Sequence, residues 1–138
     1  MVEKHAGYDK KMKNGRTFGE ELLTPTRIYH ESLKVAAACT VHGMCHVTGG
    51  GLLNFNRLSG YGFRFDNPIT PPQIFSWIQK AGDISAVEMY RTFNMGMGFA
   101  YVVPETSVAC VQKMVKGAQV VGEVIKEPGA WLGDLEIV

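Results

Sequence analysis

Three consecutive glycines, Gly49-Gly50-Gly51, follow directly on Val41 to Val47, a stretch in which apolar and polar or small residues alternate. Alternation marks a half-buried strand. After the glycines, Leu52, Leu53, Phe55 and Leu58 return at helical spacing, so the segment predicts a strand, a glycine loop and a helix N-terminus. Glycines in a row weaken packing and cost backbone entropy. Two readings explain them. The loop needs positive φ for a turn, or it turns successive N–H groups outward at the positive end of a helix dipole to cradle a phosphate or carboxylate. The anion cradle is the expectation carried forward.

Strands and helices interleave along the rest of the chain. Phe18, Leu22 and Leu23 form a short apolar patch closed by Thr24-Pro25 and expected to stay exposed. Thr26 is placed to cap a helix carrying Ile28, Tyr29, Leu33 and Val35 that ends near Thr40. Tyr61 to Phe65 reads as a strand, and Pro71 and Pro72 stand at a helix start, ahead of Ile74, Phe75, Trp77 and Ile78. Asp83 or Ser85 caps a further helix from Ala86 to about Thr92. Phe99 to Val103 reads as a strand buried on both faces. Pro104 and Glu105 open a helix with Val108, Val111, Met114 and Val115, and Val120 to Ile125 and Trp131 to Val138 supply two more strands. This order, without the strict period of a doubly wound sheet, predicts an α+β fold: a mixed sheet of about five or more strands layered with helices.

With 138 residues, 46% of them apolar, the chain suffices for one core. A formal charge of +1 excludes nucleic-acid or membrane-surface binding driven by bulk charge. Basic residues gather in the lead from Met1 to Arg16, expected to be frayed or extended. No apolar run approaches the roughly 20 residues that span a bilayer, so a cytoplasmic location is expected, with no membrane and no nucleic-acid partner. Cys39, Cys45 and Cys110, an odd number without CxxC spacing, read as reduced residues rather than a disulfide framework or a zinc site.

Few residues offer chemistry. His42 and His46 share a strand face but sit about 13 Å apart, too far for one metal ion. His46, beside the glycines, is either a ligand donor or a histidine satisfied at a sheet end. Asn94, in the turn Asn94-Met95-Gly96-Met97-Gly98, has an amide to offer, and Arg27 stands near an expected helix start; Met89, Met95, Met97 and Met114 read as packing. There is no GxxxxGK[ST] phosphate loop and no aspartate cluster able to hold Mg²⁺ with a nucleotide.

Four separated strings, Thr24-Pro25-Thr26-Arg27-Ile28-Tyr29, His46-Val47-Thr48-Gly49-Gly50-Gly51-Leu52, Met89-Tyr90-Arg91-Thr92-Phe93-Asn94-Met95-Gly96 and Val121-Gly122-Glu123-Val124, stand in this order. Together they resemble the C-terminal half of the phosphoribosylformylglycinamidine cyclo-ligase family, also called phosphoribosylaminoimidazole (AIR) synthetases. Leu53-Asn54 departs from the Glu-Asn pair common there. The resemblance implies that residues 1–23 correspond to a linker or remnant of an ATP-binding half and residues 24–138 to the family's C-terminal domain. It further implies an ATP-dependent ring closure in purine synthesis, with formylglycinamidine ribonucleotide as substrate. This chain would supply the substrate side and be inactive without the ATP-binding N-terminal half.

The same resemblance places Gly49, Gly50, Gly51 and Thr48 with His46, Asn94, Thr26 and Arg27 around the substrate phosphate and assigns no catalytic residue. No metal and no cofactor are implied for this chain alone, while ATP and Mg²⁺ are implied for the complete enzyme. Implied partners are the ATP-binding half and a further copy of the chain in a homo-oligomer. A non-catalytic paralogue or regulatory module of the same superfamily is the alternative. The hydrogenase-maturation and selenophosphate-synthesis proteins share the two-half plan with different motif wording.

Overall fold

The structure, a computed structural model, describes residues 7–137. Expectations for Met1 to Ala6 and for Val138 lie outside the described residues. From Gly7 onward the lead is packed rather than frayed. Phe18 donates its N–H to the Lys10 carbonyl (2.9 Å), Lys11 bridges to Thr17, and Met12 is buried. Helix α1 (Phe18–Leu22) opens with a capping box, in which Thr17 accepts from the Glu20 N–H and the Glu20 carboxylate accepts from the Thr17 N–H.

The expected apolar patch divides here. Phe18 is 1% exposed and lies against Trp77 (ring centroids 4.3 Å), whereas Leu23 is 83% exposed. Phe18, the first residue of α1, is covered by the Trp77 ring, and Leu23, the C-cap, is left in solvent.

Helix α2 (Glu31–Ala38) starts at Glu31, and Thr26 caps nothing; His30 holds the cap position without a side-chain bond. Strand β1 (Gly43–His46) pairs antiparallel with β3 (Phe99–Val102) in a separate two-stranded sheet, Met44 opposite Tyr101 and His46 opposite Phe99. This corrects the reading of Phe99 to Val103 as buried on both faces: both faces of the segment meet packed side chains, but each residue of β3 is only half-buried.

The second sheet is mixed. Strand β2 (Gly62–Phe65) lies between antiparallel β4 (Glu123–Ile125) and parallel β5 (Ala130–Leu132), and β6 (Leu135–Glu136) folds back on β5. One strand expected over 131–138 is thus a hairpin, broken at Gly133-Asp134. Helix α3 (Gln73–Gly82) follows Pro72 and turns Ile74, Phe75, Trp77 and Ile78 inward to half-burial. Helix α4 (Ala86–Thr92) is capped by Ser85, which accepts from the Glu88 N–H, while Asp83 closes α3. A short 3₁₀ turn (Glu105–Ser107) leads into α5 (Val108–Met114). The class is α+β, with six described strands divided between two sheets.

Two cores follow from this division. Cys45, Val47, Leu52, Phe55, Phe63, Phe65, Met97, Ala130 and Ile137 fill the space between the sheets. Val35, Val111 and Val115 join α2 to α5 against Tyr101 and Val103 of the β3 segment. The second core explains a correction to the cysteines: Cys39 and Cys110, read as reduced, form a disulfide. Packing at Val35 and Val111 brings the residue that closes α2 opposite the first turn of α5, with Cα atoms 6.0 Å apart across a sequence separation of 71. Linear spacing contains no trace of that approach. Cys45 is a free thiol, buried, and burial pushes its pKa up against a smaller opposing pull from Arg57. No helix among the described residues is long and apolar enough to cross a membrane.

Candidate functional site

The glycine loop does not open on an α-helix. Gly51–Arg57 is a 3₁₀ helix of seven residues, entered through Gly50 at φ 94°. Two of the three glycine N–H groups are used internally. Gly50 donates to the Thr92 carbonyl at the end of α4 (3.2 Å), and Gly51 donates to the Thr48 carbonyl (3.1 Å). Three outward donors on a helix dipole are therefore not what this loop presents. The reason is partly tertiary: α4 runs so close behind the loop that its last carbonyl, that of Thr92, takes the Gly50 N–H, while the Gly51 N–H closes a turn on Thr48 within the loop. Buried Asn54 fastens the same loop from the inside, donating its amide to the carbonyls of Gly51 (2.8 Å) and Gly49 (3.3 Å). Gly49 and Thr48 face solvent.

Asn94 ties the second turn to the first. Its amide donates to the Val47 carbonyl (3.3 Å), and its side-chain oxygen accepts from the Gly96 N–H (3.0 Å). The Val47 N–H in turn donates to Gly98 (2.9 Å). The end of β1 and the Asn94–Gly98 turn thus form one unit, with Asn94 as its clasp.

Arg27 and His46 come together through a residue that the sequence reading treated as part of a helix face. Tyr29 lies between them. The Arg27 guanidinium carbon sits 5.2 Å from the Tyr29 ring centre, and the His46 ring lies edge-on to Tyr29 at 5.7 Å. Phe99 completes the group at 5.2 Å from Tyr29 and 6.1 Å from His46. Glu31, at the start of α2, pairs with Arg27. Thr26 is exposed nearby in sequence and makes no bond within this group.

A cavity of about 900 Å³ opens beside this cluster, with Arg27, Tyr29, Glu31, Gly98, Phe99 and Tyr101 among its lining residues. Of the expected site residues only Arg27 lines it. The Tyr101 hydroxyl is buried without a partner among the described residues, and burial, then the Glu31 charge, raises its pKa, while Arg27 lowers it. Asn54 and Tyr29 are the two residues the sequence reading missed. Tyr29 stands among the apolar residues expected to pack on a helix, and Asn54, three positions after the last glycine, is the matching member of a pair in which Leu53 departs from the family pattern, with no role assigned to it. Among the described residues no group of three or more His, Cys, Asp or Glu is placed to hold a metal ion.

The chain is 49% identical over 122 residues to the phosphoribosylformylglycinamidine cyclo-ligase of Methanococcoides burtonii, covering 88% of this chain and 36% of that protein. Against the proteins of the same name from Methanosarcina barkeri and Methanopyrus kandleri the figures are 48% over 124 residues (90% and 37%) and 44% over 119 (82% and 34%). The chain thus spans about a third of the length of these curated relatives. The family described as AIR synthase related protein, C-terminal domain, matches residues 1–132, and the chain belongs to it.

Proposed function

We propose that this chain is the substrate-side part of an ATP-dependent cyclo-ligase that converts formylglycinamidine ribonucleotide to aminoimidazole ribonucleotide. The observation that carries this reading is 48–49% identity, over about nine-tenths of the chain, to proteins named for that reaction. The site geometry supports it. Arg27 and His46 are a fixed cation and a titratable donor held around one aromatic ring, the residue types that bind the 5′-phosphate of a ribotide. Thr48 and Gly49 form the exposed rim next to them along the chain.

In the proposed reaction ATP phosphorylates the formamide oxygen, and the amidine nitrogen then attacks that carbon and closes the ring with loss of phosphate. ATP and Mg²⁺ belong to an ATP-binding half. The work assigned to this chain is to hold the ribotide by its phosphate and to present the formylglycinamidine arm towards the partner. Leu23, Ile28 and Leu33 are 83%, 80% and 77% exposed and are the surface assigned to that partner.

Mixing the purified chain with the N-terminal two-thirds of the Methanococcoides burtonii relative, ATP, Mg²⁺ and the ribotide tests the reading. Ring closure is followed by colorimetric detection of the aminoimidazole. The mixture is expected to turn over and each component alone is not. A mixture that associates yet stays inactive, with this chain failing to bind the ribotide, sinks the proposal and favours a non-catalytic member of the superfamily.

A further inference from the structure

The hydroxyl of Tyr29 lies where a side chain on residue 98 would begin: a Cβ built on Gly98 falls on that oxygen and next to Cζ. The ring is therefore seated in a slot that exists because residue 98 is glycine. From that seat Tyr29 touches Phe99 with one part of its ring, meets the edge of His46 and carries Arg27 over its face. His46 and Phe99 stand directly opposite each other on β1 and β3, so the strand pair fixes the base of the group. Arg27, by contrast, belongs to no helix or strand and is exposed. Its only attachments among the described residues are the Tyr29 ring and the Glu31 carboxylate.

We infer that Tyr29, locked against Gly98, is the positioning residue of an anion site for a phosphate monoester, holding Arg27 and His46 at a set separation so that both address the same group. The inference deepens the proposed function and rests on its phosphate-bearing ligand. It also moves the anion site away from the glycine N–H groups, two of which are already spent. A long, flexible arginine on a coil segment otherwise loses its side-chain entropy only on binding. An aromatic platform removes part of that cost beforehand. The Glu31 pair then acts as a parking contact, which Arg27 leaves when a dianion with stronger charge-assisted bonds arrives.

NMR on the full 138-residue chain tests this, with ribose 5-phosphate as the probe. Without ligand, the imidazole protons of His46 show cross-relaxation to the Tyr29 ring in the wild type and in Tyr29→Phe. In Tyr29→Leu and Gly98→Ala the His46 signals move. On titration, the His46 imidazole and Arg27 Nε–H signals shift together in the wild type with one dissociation constant, Tyr29→Phe retains it, and Tyr29→Leu binds about tenfold more weakly. Tyr29→Leu keeps the outcome readable if Gly98→Ala fails to fold. The inference is overturned if Tyr29→Leu leaves both the His46 signals and the dissociation constant at wild-type values. If the unliganded signals respond to Tyr29→Leu but ribose 5-phosphate moves neither His46 nor Arg27 in the wild type, Tyr29 positions the pair and the ligand reading of the proposed function is what fails.

Discussion

Gly51 lies directly beneath the carbonyl of Tyr90, and a Cβ added there would overlap that oxygen and crowd the carbonyl of Phe93. Its backbone is also left-handed, at φ 48°. The glycine loop and α4 are therefore in backbone-to-backbone contact, and the three glycines are not equivalent. Gly50 is left-handed at φ 94° with its missing Cβ in ordinary contact with Asn54, and Gly49 faces open space.

Stability is expected to fall in that order. Gly51→Ala costs about 3 kcal/mol or more, from overlap and strain together. Gly50→Ala costs about 1 to 2 kcal/mol from the left-handed backbone alone, and Gly49→Ala stays within about 0.5 kcal/mol. Urea unfolding of the three variants checks the series, and equal losses at all three positions would refute it.

The disulfide closes a loop with a sequence separation of 71 between Cys39 and Cys110. The chain-entropy relation for a loop of this length gives about 4 kcal/mol of stabilisation. Cys39→Ser is expected to lower the unfolding midpoint under oxidising conditions. Dithiothreitol should lower the wild type by the same amount and leave the variant unchanged. A wild type indifferent to reductant would show that the bridge contributes nothing.

Phe18 is buried against Trp77, so Phe18→Ala is expected to cost about 3 to 4 kcal/mol by opening a cavity at α3. Loss of Trp77 fluorescence change on unfolding, or a shift of its emission in the folded variant, locates the damage. A cost below 1 kcal/mol would return Phe18 to the exposed patch in which the sequence places it.

Thr17 caps α1, and Thr17→Ala is expected to cost about 1 kcal/mol. Its backbone N–H and hydroxyl also hold the Glu20 carboxyl below its ordinary pKa. The folded state then binds fewer protons than the unfolded chain around that value. The contribution is fully present above the unfolded pKa and fades as pH falls through the lowered folded one. Thr17→Ala keeps the backbone N–H and loses only the hydroxyl's smaller share, so the gap between wild type and variant should narrow slightly towards acid while the loss of the cap persists, as chemical denaturation between pH 3 and pH 7 would reveal.

Replacing Leu23, Ile28 and Leu33 together by Glu is expected to leave stability within about 0.5 kcal/mol per site, because each side chain already faces water. The same variant should lose binding to the ATP-binding half of a relative, read by calorimetry. Unchanged binding would assign the partner to another face.

The α+β class, the strand that precedes Gly49-Gly50-Gly51, the proline-led α3 and the Ser85-capped α4 were legible in the sequence by itself, because alternation, capping chemistry and proline's fixed φ act over a few residues. The motif strings carried the family for the same reason, since residue identities in order need no coordinates. Decisions that depend on residues far apart in the chain belonged to the tertiary structure. Phe18 is core because Trp77 covers it, Cys39 is bridged because Val35 and Val111 bring α5 to it, and β3 is half-buried between two cores, Ala100 and Val102 packing against one and Tyr101 and Val103 against the other. The candidate site divides in the same way. Arg27, His46, Asn94 and the glycines could be named from the chain, but not that α4 takes the N–H group of Gly50, nor that Gly98 makes room for Tyr29. Hydrogen-bond partners and van der Waals vacancies are properties of folded neighbours, and a linear pattern specifies neither.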